Sequence, residues 1–142
     1  MFMGEYNHTI DAKGRLIIPA KFREGLGEKF VVSKGFDGCL NAYDPETWAG
    51  IEEKLKELPQ FKKETRAITR FFLAGAVEEE IDKQGRILIP AKLREYADLR
   101  KDVILVGSGS RVEIWDSEKW KDTEPESIDD LAENLGELGF SL

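Results

Sequence analysis

The sequence has very little of the chemistry that cysteine and histidine provide. Cys39 is its single cysteine and His8 its single histidine among 142 residues. One cysteine excludes an intramolecular disulfide and a cysteine-based zinc site. A nucleophilic Cys39 would have His8 as its only imidazole partner. Because Cys39 lies between Gly38 and Leu40, we instead expect it to be a small buried residue.

Long apolar runs are also missing from the chain. No segment approaches the roughly 18 to 20 consecutive apolar residues that a membrane-spanning helix needs. The first residues, MFMGEYNHTID, do not place a basic segment before an apolar one, as a secretory signal does. We therefore expect a soluble, cytoplasmic protein.

Positive charge is missing from one part of the chain only. Residues 122–142 contain seven acidic residues and no lysine or arginine, and the whole chain has a net charge of −7. Residues 1–121 therefore carry 21 acidic and 21 basic side chains. This even balance leaves room for local basic patches that could bind a polyanion.

The sequence does contain one segment twice. Residues 11–24 read DAKGRLIIPAKFRE, and residues 82–95, which lie 71 positions later, read DKQGRILIPAKLRE. Nine of the 14 positions are identical, which indicates an internal duplication. A repeat of about 70 residues is a marginal domain by itself, so we expect the two halves to share one core.

Each copy of the repeated segment begins with a predicted turn. Asp11 and Asp82 stand at the first turn position, where a carboxylate can accept hydrogen bonds from the backbone amides that follow. Gly14 and Gly85 stand three positions later, where glycine accepts a positive φ. These four residues are the predicted turn-structuring positions.

The same order of strands and helices is predicted in both halves. Short apolar strands at residues 16–18 and 87–89 each lead to a proline that suits the start of a helix. Predicted hairpins follow at residues 29–43 and 103–115, and glycine-rich loops join their strands. The halves end in YDPETW and WDSEKW, in which the aspartate is placed to cap a helix.

Amphipathic helices are predicted between the repeats and in the tail. Apolar residues at helical spacing over residues 48–58 and 62–74 predict two connecting helices, which pack on the sheet or, alternatively, join neighbouring subunits. In the tail, Ser127 and Asp130 resemble a capping box. The apolar stripe that follows consists of Ile128, Leu131, Leu135 and Leu138. This pattern predicts a short helix that could dock on another surface.

Basic side chains cluster around both predicted turns. Arg15 and Arg86 each follow a turn glycine directly. An arginine fork can hold phosphate or the O6 and N7 atoms of guanine, whereas lysine mainly supplies a point charge. The other cations of the two clusters are Lys13, Lys83, Lys21, Arg23, Lys92 and Arg94. They indicate a nucleic-acid site, although each arginine could simply pair with its aspartate while the other cations face water.

The paired DAKGR and DKQGR motifs, with their IPAKFRE and IPAKLRE continuations, resemble the MraZ family of bacterial transcriptional regulators. This family is part of the AbrB-like (SpoVT-AbrB) superfamily, and the resemblance covers essentially residues 1–121. Its DxxxR signature is matched by Asp11 with Arg15 and by Asp82 with Arg86. The resemblance implies an α+β fold in which two tandem AbrB-like βαβ repeats form one pseudo-twofold, swapped-hairpin β-barrel with peripheral helices.

The resemblance also suggests a division into four segments. Residues 1–59 would be the first AbrB-like repeat with its trailing helix, and residues 60–75 a helical connector. Residues 76–121 would be the second repeat, and residues 122–142 an acidic amphipathic tail.

The resemblance further implies a biological role. Members of this family form ring-shaped homo-oligomers and bind short direct repeats of a TGGG type upstream of the division and cell-wall gene cluster. The chain is accordingly expected to repress that cluster, which includes its own gene, and to be associated with the nucleoid. A neighbouring methyltransferase is a second expected partner. No cofactor or catalytic activity is expected.

The expected mechanism assigns different roles to the two kinds of cation. Arg15 and Arg86 would contact bases in or beside the major groove, and the other cations would bind phosphates. One alternative is a protein-interaction module, antitoxin-like or methyltransferase-regulating, that does not read DNA. The other is a nuclease that holds Mg²⁺ through Glu80 and Asp82. A solvated strand end and a turn explain these two acids equally well.

Overall fold

A computed structural model describes residues 1–140 as an α+β fold with eight strands and six helices. The strands are β1 (Glu5–Thr9), β2 (Arg15–Ile17), β3 (Lys29–Lys34), β4 (Leu40–Tyr43), β5 (Val77–Glu80), β6 (Arg86–Leu88), β7 (Asp102–Gly107) and β8 (Val112–Asp116). The helices are α1 (Ala20–Leu26), α2 (Pro45–Lys56), α3 (Lys63–Ala74), α4 (Ala91–Ala97), α5 (Ser117–Lys121) and α6 (Ile128–Glu137). Across these residues, no helix is both long and apolar enough to cross a membrane. The last two residues of the predicted tail lie outside the described residues.

The strands of the two repeats are interleaved. The main sheet is antiparallel and has the order β1-β7-β8-β4-β3-β5, while β2 and β6 form a separate antiparallel ribbon. Each repeat supplies ββαββ, so β1 to β4 correspond to β5 to β8. If β1 to β4 are exchanged with β5 to β8, the main sheet shows the same strand order when it is followed from its opposite edge. This is the symmetry that a pseudo-twofold axis requires. The first strand of each repeat pairs with the hairpin of the other, β1 with β7 and β5 with β3.

The closed barrel implied by the family resemblance is not found in the described residues. The six-stranded sheet stays open, because β1 and β5 are its two edges and do not pair with each other. After each edge strand the chain enters a turn that leads into the separate ribbon. Glu5, Glu78 and Glu80 lie on these edges, and charged residues on an edge strand disfavour further strand pairing.

Both repeats contribute to one core, as predicted. Phe22 of α1 is buried at its centre, where Phe2 and Tyr6 pack edge-to-face against it with ring centroids 6.0 and 5.1 Å away. Leu105 and Ile114 of the second repeat belong to the same cluster. The main core therefore belongs to both repeats together.

The helix ends follow the predicted capping pattern with one difference. Asp44 caps α2 by accepting a 3.3 Å hydrogen bond from the Thr47 amide, and Asp116 caps α5 by accepting a 3.2 Å bond from the Glu118 amide. Pro19 and Pro90 were predicted as the first helical residues but are the N-cap residues of α1 and α4, so each helix begins one position later than predicted. Neither proline offers a side-chain cap, so these two short helices begin without one.

Only the first of the two connecting helices is anchored by buried residues. Trp48 of α2 packs with Val31 and Tyr43 in a second small cluster, which Phe72 of α3 joins at its margin. No residue of α3 is fully buried. Much of the surface of α3 is therefore open to solvent.

The side chain of Glu79 is buried in β5, and its Oε2 atom has no hydrogen-bond partner among residues 1–140. Burial raises its pKa to about 7 from an ordinary value of 4.5. The folded chain therefore holds this proton at pH values where the unfolded chain releases it. By linkage, the contribution of Glu79 to stability is most favourable below about pH 4.5 and declines as the pH rises to about 7.

We expect the Glu79→Gln variant to lose this part of the pH dependence. Between pH 5 and 7.5, the unfolding free energy of the native chain should fall by roughly 1–2 kcal/mol more than that of the variant. This value allows for partial screening of Glu79 by solvent. Urea unfolding at several pH values measures the difference. Glu78→Gln, on the exposed side of the same strand, is the control. Parallel pH profiles for native chain and Glu79→Gln would contradict the prediction.

Candidate nucleic-acid interface

The first turn is held together by the side chain of Asp11. Its Oδ1 accepts hydrogen bonds from the amides of Lys13 and Arg15 at 3.0 and 2.9 Å, and its Oδ2 accepts a 2.6 Å bond from the Nε of Arg15. Gly14 completes the turn with a φ of 91°. The Arg15 amide, together with the Arg15 guanidinium and the Lys13 amide, lowers the pKa of Asp11. The carboxylate therefore stays charged at neutral pH and holds Arg15 by a charge-assisted bond.

The second turn repeats this geometry and adds one contact. Asp82 accepts hydrogen bonds from the amides of Gln84 and Arg86, both at 2.9 Å, and from the Nε of Arg86 at 3.0 Å. The Arg86 amide is the main cause of the lowered pKa of Asp82. Arg86 also donates from Nη2 to the Oε1 of Gln84 at 3.1 Å. Lys13 occupies the corresponding place in the first turn, so the two turns present different groups.

The ribbon of β2 and β6 joins the two turns. Arg15 lies opposite Leu88, and Ile17 lies opposite Arg86. Opposite residues share a face of an antiparallel pair, so these four side chains form one surface, which we call the ribbon face. The spacing of paired strands puts the two arginine Cα atoms about 8 Å apart, at diagonal corners of this face.

The ribbon face is partly apolar, which the sequence analysis missed. Ile17 is 42% exposed and Leu88 is 56% exposed, whereas Leu16 and Ile87 on the opposite side are buried. Side chains alternate between the two faces of a strand, and this alternation predicts that Ile17 and Leu88 lie opposite to Leu16 and Ile87. The prediction of apolar strands at residues 16–18 and 87–89 assigns no residue to a face of the ribbon.

The arginines of α1 and α4 each contact the turn of the other repeat. Arg94 of α4 donates from Nε to the backbone oxygen of Ile89 at 3.0 Å, and its Nε lies 2.8 Å from where a β-carbon on Gly14 would stand. Arg23 of α1 packs in the same way on Gly85, with its Cζ 3.0 Å from the corresponding point. Each helix arginine therefore covers the turn glycine of the other repeat, and both are half-buried.

The predicted lysines surround this surface. Lys13 and Lys83 are exposed in the two turns, and Lys21 and Lys92 are exposed at the starts of α1 and α4. None of these four lysines has an ion-pair partner among residues 1–140. All eight predicted cations therefore lie in the turns that lead into the ribbon, at the starts of its strands or in the helices that follow it. Their roles in binding stay a prediction.

This arrangement suits an anionic ligand with flat hydrogen-bonding edges. The contact with Asp11 uses the Nε of Arg15, and in the described part of the chain neither Nη group of Arg15 has a hydrogen bond. These groups can bind a ligand while Asp11 orients the side chain. The lysines at the margin can neutralise phosphate groups.

Both repeats of the chain match one known protein family. A family model described as "MraZ protein, putative antitoxin-like" matches residues 1–71 and again residues 72–136. The chain belongs to the MraZ family. Each match contains one DxxGR turn, so the ribbon face combines both MraZ units. The predicted division at residues 59, 75 and 121 stays a prediction.

Individual MraZ relatives are similar along their whole length. A protein of a Thermoanaerobacter species, named "Transcriptional regulator MraZ", is 62% identical over 143 residues, which cover 99% of this chain and 100% of the relative. Proteins with the same name from Acetivibrio thermocellus and Lachnoclostridium phytofermentans are 57% and 53% identical, with 99% and 100% of this chain covered and 100% of each relative. The chain is therefore similar to proteins named as transcriptional regulators.

Proposed function

We propose that the chain is a sequence-specific DNA-binding regulator of transcription that works by binding rather than by catalysis. The ribbon face carries this proposal, because Arg15 and Arg86 stand on it at diagonal corners, each held by its own aspartate. A two-stranded antiparallel ribbon fits the major groove of B-DNA. The names of the MraZ relatives support the regulatory role.

The cations around the ribbon have separate roles in this proposal. Arg15 and Arg86 contact base edges, for which their forks match O6 and N7 of guanine. The exposed lysines bind phosphates on either side and so set the position of the ribbon on the duplex. They are Lys13, Lys83, Lys21 and Lys92. Arg23 and Arg94 add positive charge and also support the turn glycines.

The finer biological role follows the family resemblance. We propose that the chain represses its own division and cell-wall gene cluster by binding direct TGGG-type repeats, and that it is found in the cytoplasm at the nucleoid. One ribbon contacts few base pairs, so useful affinity needs several copies on successive repeats. A ring-shaped homo-oligomer would supply them. A neighbouring methyltransferase is the proposed second partner.

Binding to DNA fragments with one, two or three direct repeats tests this proposal. We expect affinity to rise by more than about tenfold with the second repeat, because linked sites raise the effective concentration. A log–log plot of affinity against salt should be linear with a slope of magnitude about 4 or more, since several phosphates are neutralised.

A fragment of equal length with scrambled repeats is the control for this measurement. It should bind more weakly with a similar salt slope, because phosphate contacts do not depend on sequence. Equal affinity for both fragments would exclude base reading by the ribbon. A flat salt response would exclude the phosphate contacts.

A further inference from the structure

Helix α6 lacks a surface to cover its apolar side. Ile128 and Leu138 are 72% and 83% exposed, Leu131 is also exposed, and no residue of α6 is buried. Ser127 caps the helix through the Asp130 amide at 3.3 Å, but a helix of ten residues is marginal in water by itself. Burying this stripe would stabilise the helix, so α6 has the properties of an element that docks elsewhere.

The outer surface of α3 is shaped to receive a helix. We call it the α3 face. Ala67, Phe71 and Ala74 share one side of the helix, because they stand at i, i+4 and i+7 spacing. The ring of Phe36, 71% exposed, stacks on Phe71 with centroids 5.3 Å apart. A second helix can approach the two alanines closely and bury its apolar residues against Phe36 and Phe71.

The charges of the two helices are complementary. The α3 segment has four basic residues, Lys62, Lys63, Arg66 and Arg70, and a single acidic one, Glu64. The charged residues of α6 are all acidic, and they are Asp129, Asp130, Glu133 and Glu137. None of these nine side chains has an ion pair within residues 1–140. Each helix therefore offers the charge that the other lacks.

We infer that α6 of one copy docks on the α3 face of a second copy. Among the described residues of one chain, α6 makes no extensive contact with α3 or with any other element. Since α6 and the α3 face are different surfaces of the same chain, their contact joins copies head to tail. Such a contact closes into a ring when the rotation between copies allows it. The inference rests on the proposed oligomer and names the contact that forms it.

The contact can be tested by reversing the charges of each surface alone and then of both together. The measurement is the mass of the oligomer that the protein forms without DNA. Lys63→Glu with Arg70→Glu reverses the α3 face, and Asp130→Lys with Glu133→Lys reverses α6. Each pair should raise the dissociation constant between copies by about tenfold or more, and all four changes together should restore it. Lys54→Glu with Lys56→Glu on the exposed side of α2 is the control and should change nothing. Unchanged mass in both reversed pairs would overturn the inference.

Cross-linking then identifies which copy supplies the helix. One preparation carries Leu135→Cys and another carries Ala67→Cys, and the native chain with its buried Cys39 is the control. After mild oxidation, the mixture should contain a disulfide-linked pair with one chain of each kind. If the native chain is oligomeric but no mixed pair forms, the docking is wrong and the proposed function stands. If the native chain is monomeric at the same concentration, both the docking and the proposed oligomer fail.

Discussion

Replacing Arg15 and Arg86 together with alanine should lower affinity for a repeat-bearing DNA fragment by about 100-fold or more, because each bidentate contact with a base contributes about 1–3 kcal/mol. The fold should be nearly unaffected. Both arginines are partly exposed, and exposed ion pairs such as those with Asp11 and Asp82 contribute little to stability because water and salt screen them. The backbone amides that bind the two carboxylates remain in the variant. Binding titrations and thermal unfolding of the same samples separate the two effects.

A matched variant excludes a simple effect of net charge. Lys54→Ala with Lys56→Ala on α2 also removes two exposed positive charges, but it leaves the ribbon unchanged. Its affinity for DNA should stay within about threefold of the native value, since distant exposed charges are largely screened by salt. If both double variants lost the same affinity for DNA, net charge alone would explain the effect of the arginines. An arginine variant that binds like the native chain would remove the ribbon face from the proposed interface.

The local parts of the fold could be predicted because their causes are close together in the sequence. Asp11 and Gly14 determine a turn within four residues, and Asp44 caps a helix through an amide three residues away. The pairing of strands depends on distant residues. β1 and β7 are separated by more than 90 residues, and no local pattern specifies that they meet. The α+β class was confirmed, and residues 1–140 do not form the closed barrel expected from the resemblance.

The same distinction applies to the candidate site. Sequence spacing identified Arg15 and Arg86, because each follows its turn directly. It predicted Arg23 and Arg94 as phosphate-binding cations, which stays a prediction, and gave no sign that each packs on the turn glycine of the other repeat. That contact exists because β2 and β6 pair, which the spacing of residues within one repeat could not reveal. The exposure of Ile17 and Leu88 follows from the same pairing.

Comparing two glycines should show how strongly the fold depends on the first turn. Gly14 and Gly109 both have a positive φ, 91° and 77°, so alanine is strained at either position by about 1–2 kcal/mol. Nothing lies within 4 Å of the β-carbon position at Gly109, whereas at Gly14 the backbone oxygen of Ile89 is 2.6 Å away. That oxygen also accepts the hydrogen bond of Arg94. Relieving the overlap must therefore move the β2–β6 ribbon or the contact with Arg94.

We accordingly expect Gly14→Ala to lower the free energy of unfolding by roughly 2–5 kcal/mol, because overpacking adds about 1–3 kcal/mol to the strain at positive φ. Gly109→Ala should lower it by only about 1–2 kcal/mol. Urea unfolding measures the free energy of unfolding of each variant. The cost of a positive φ is common to both variants, so the difference between them reports the overlap at Gly14. Gly14→Ala should also weaken DNA binding at temperatures where it is folded, since Arg15 follows the displaced residue. Equal unfolding free energies for the two variants would mean that the turn adapts to a side chain at position 14 and would contradict the prediction.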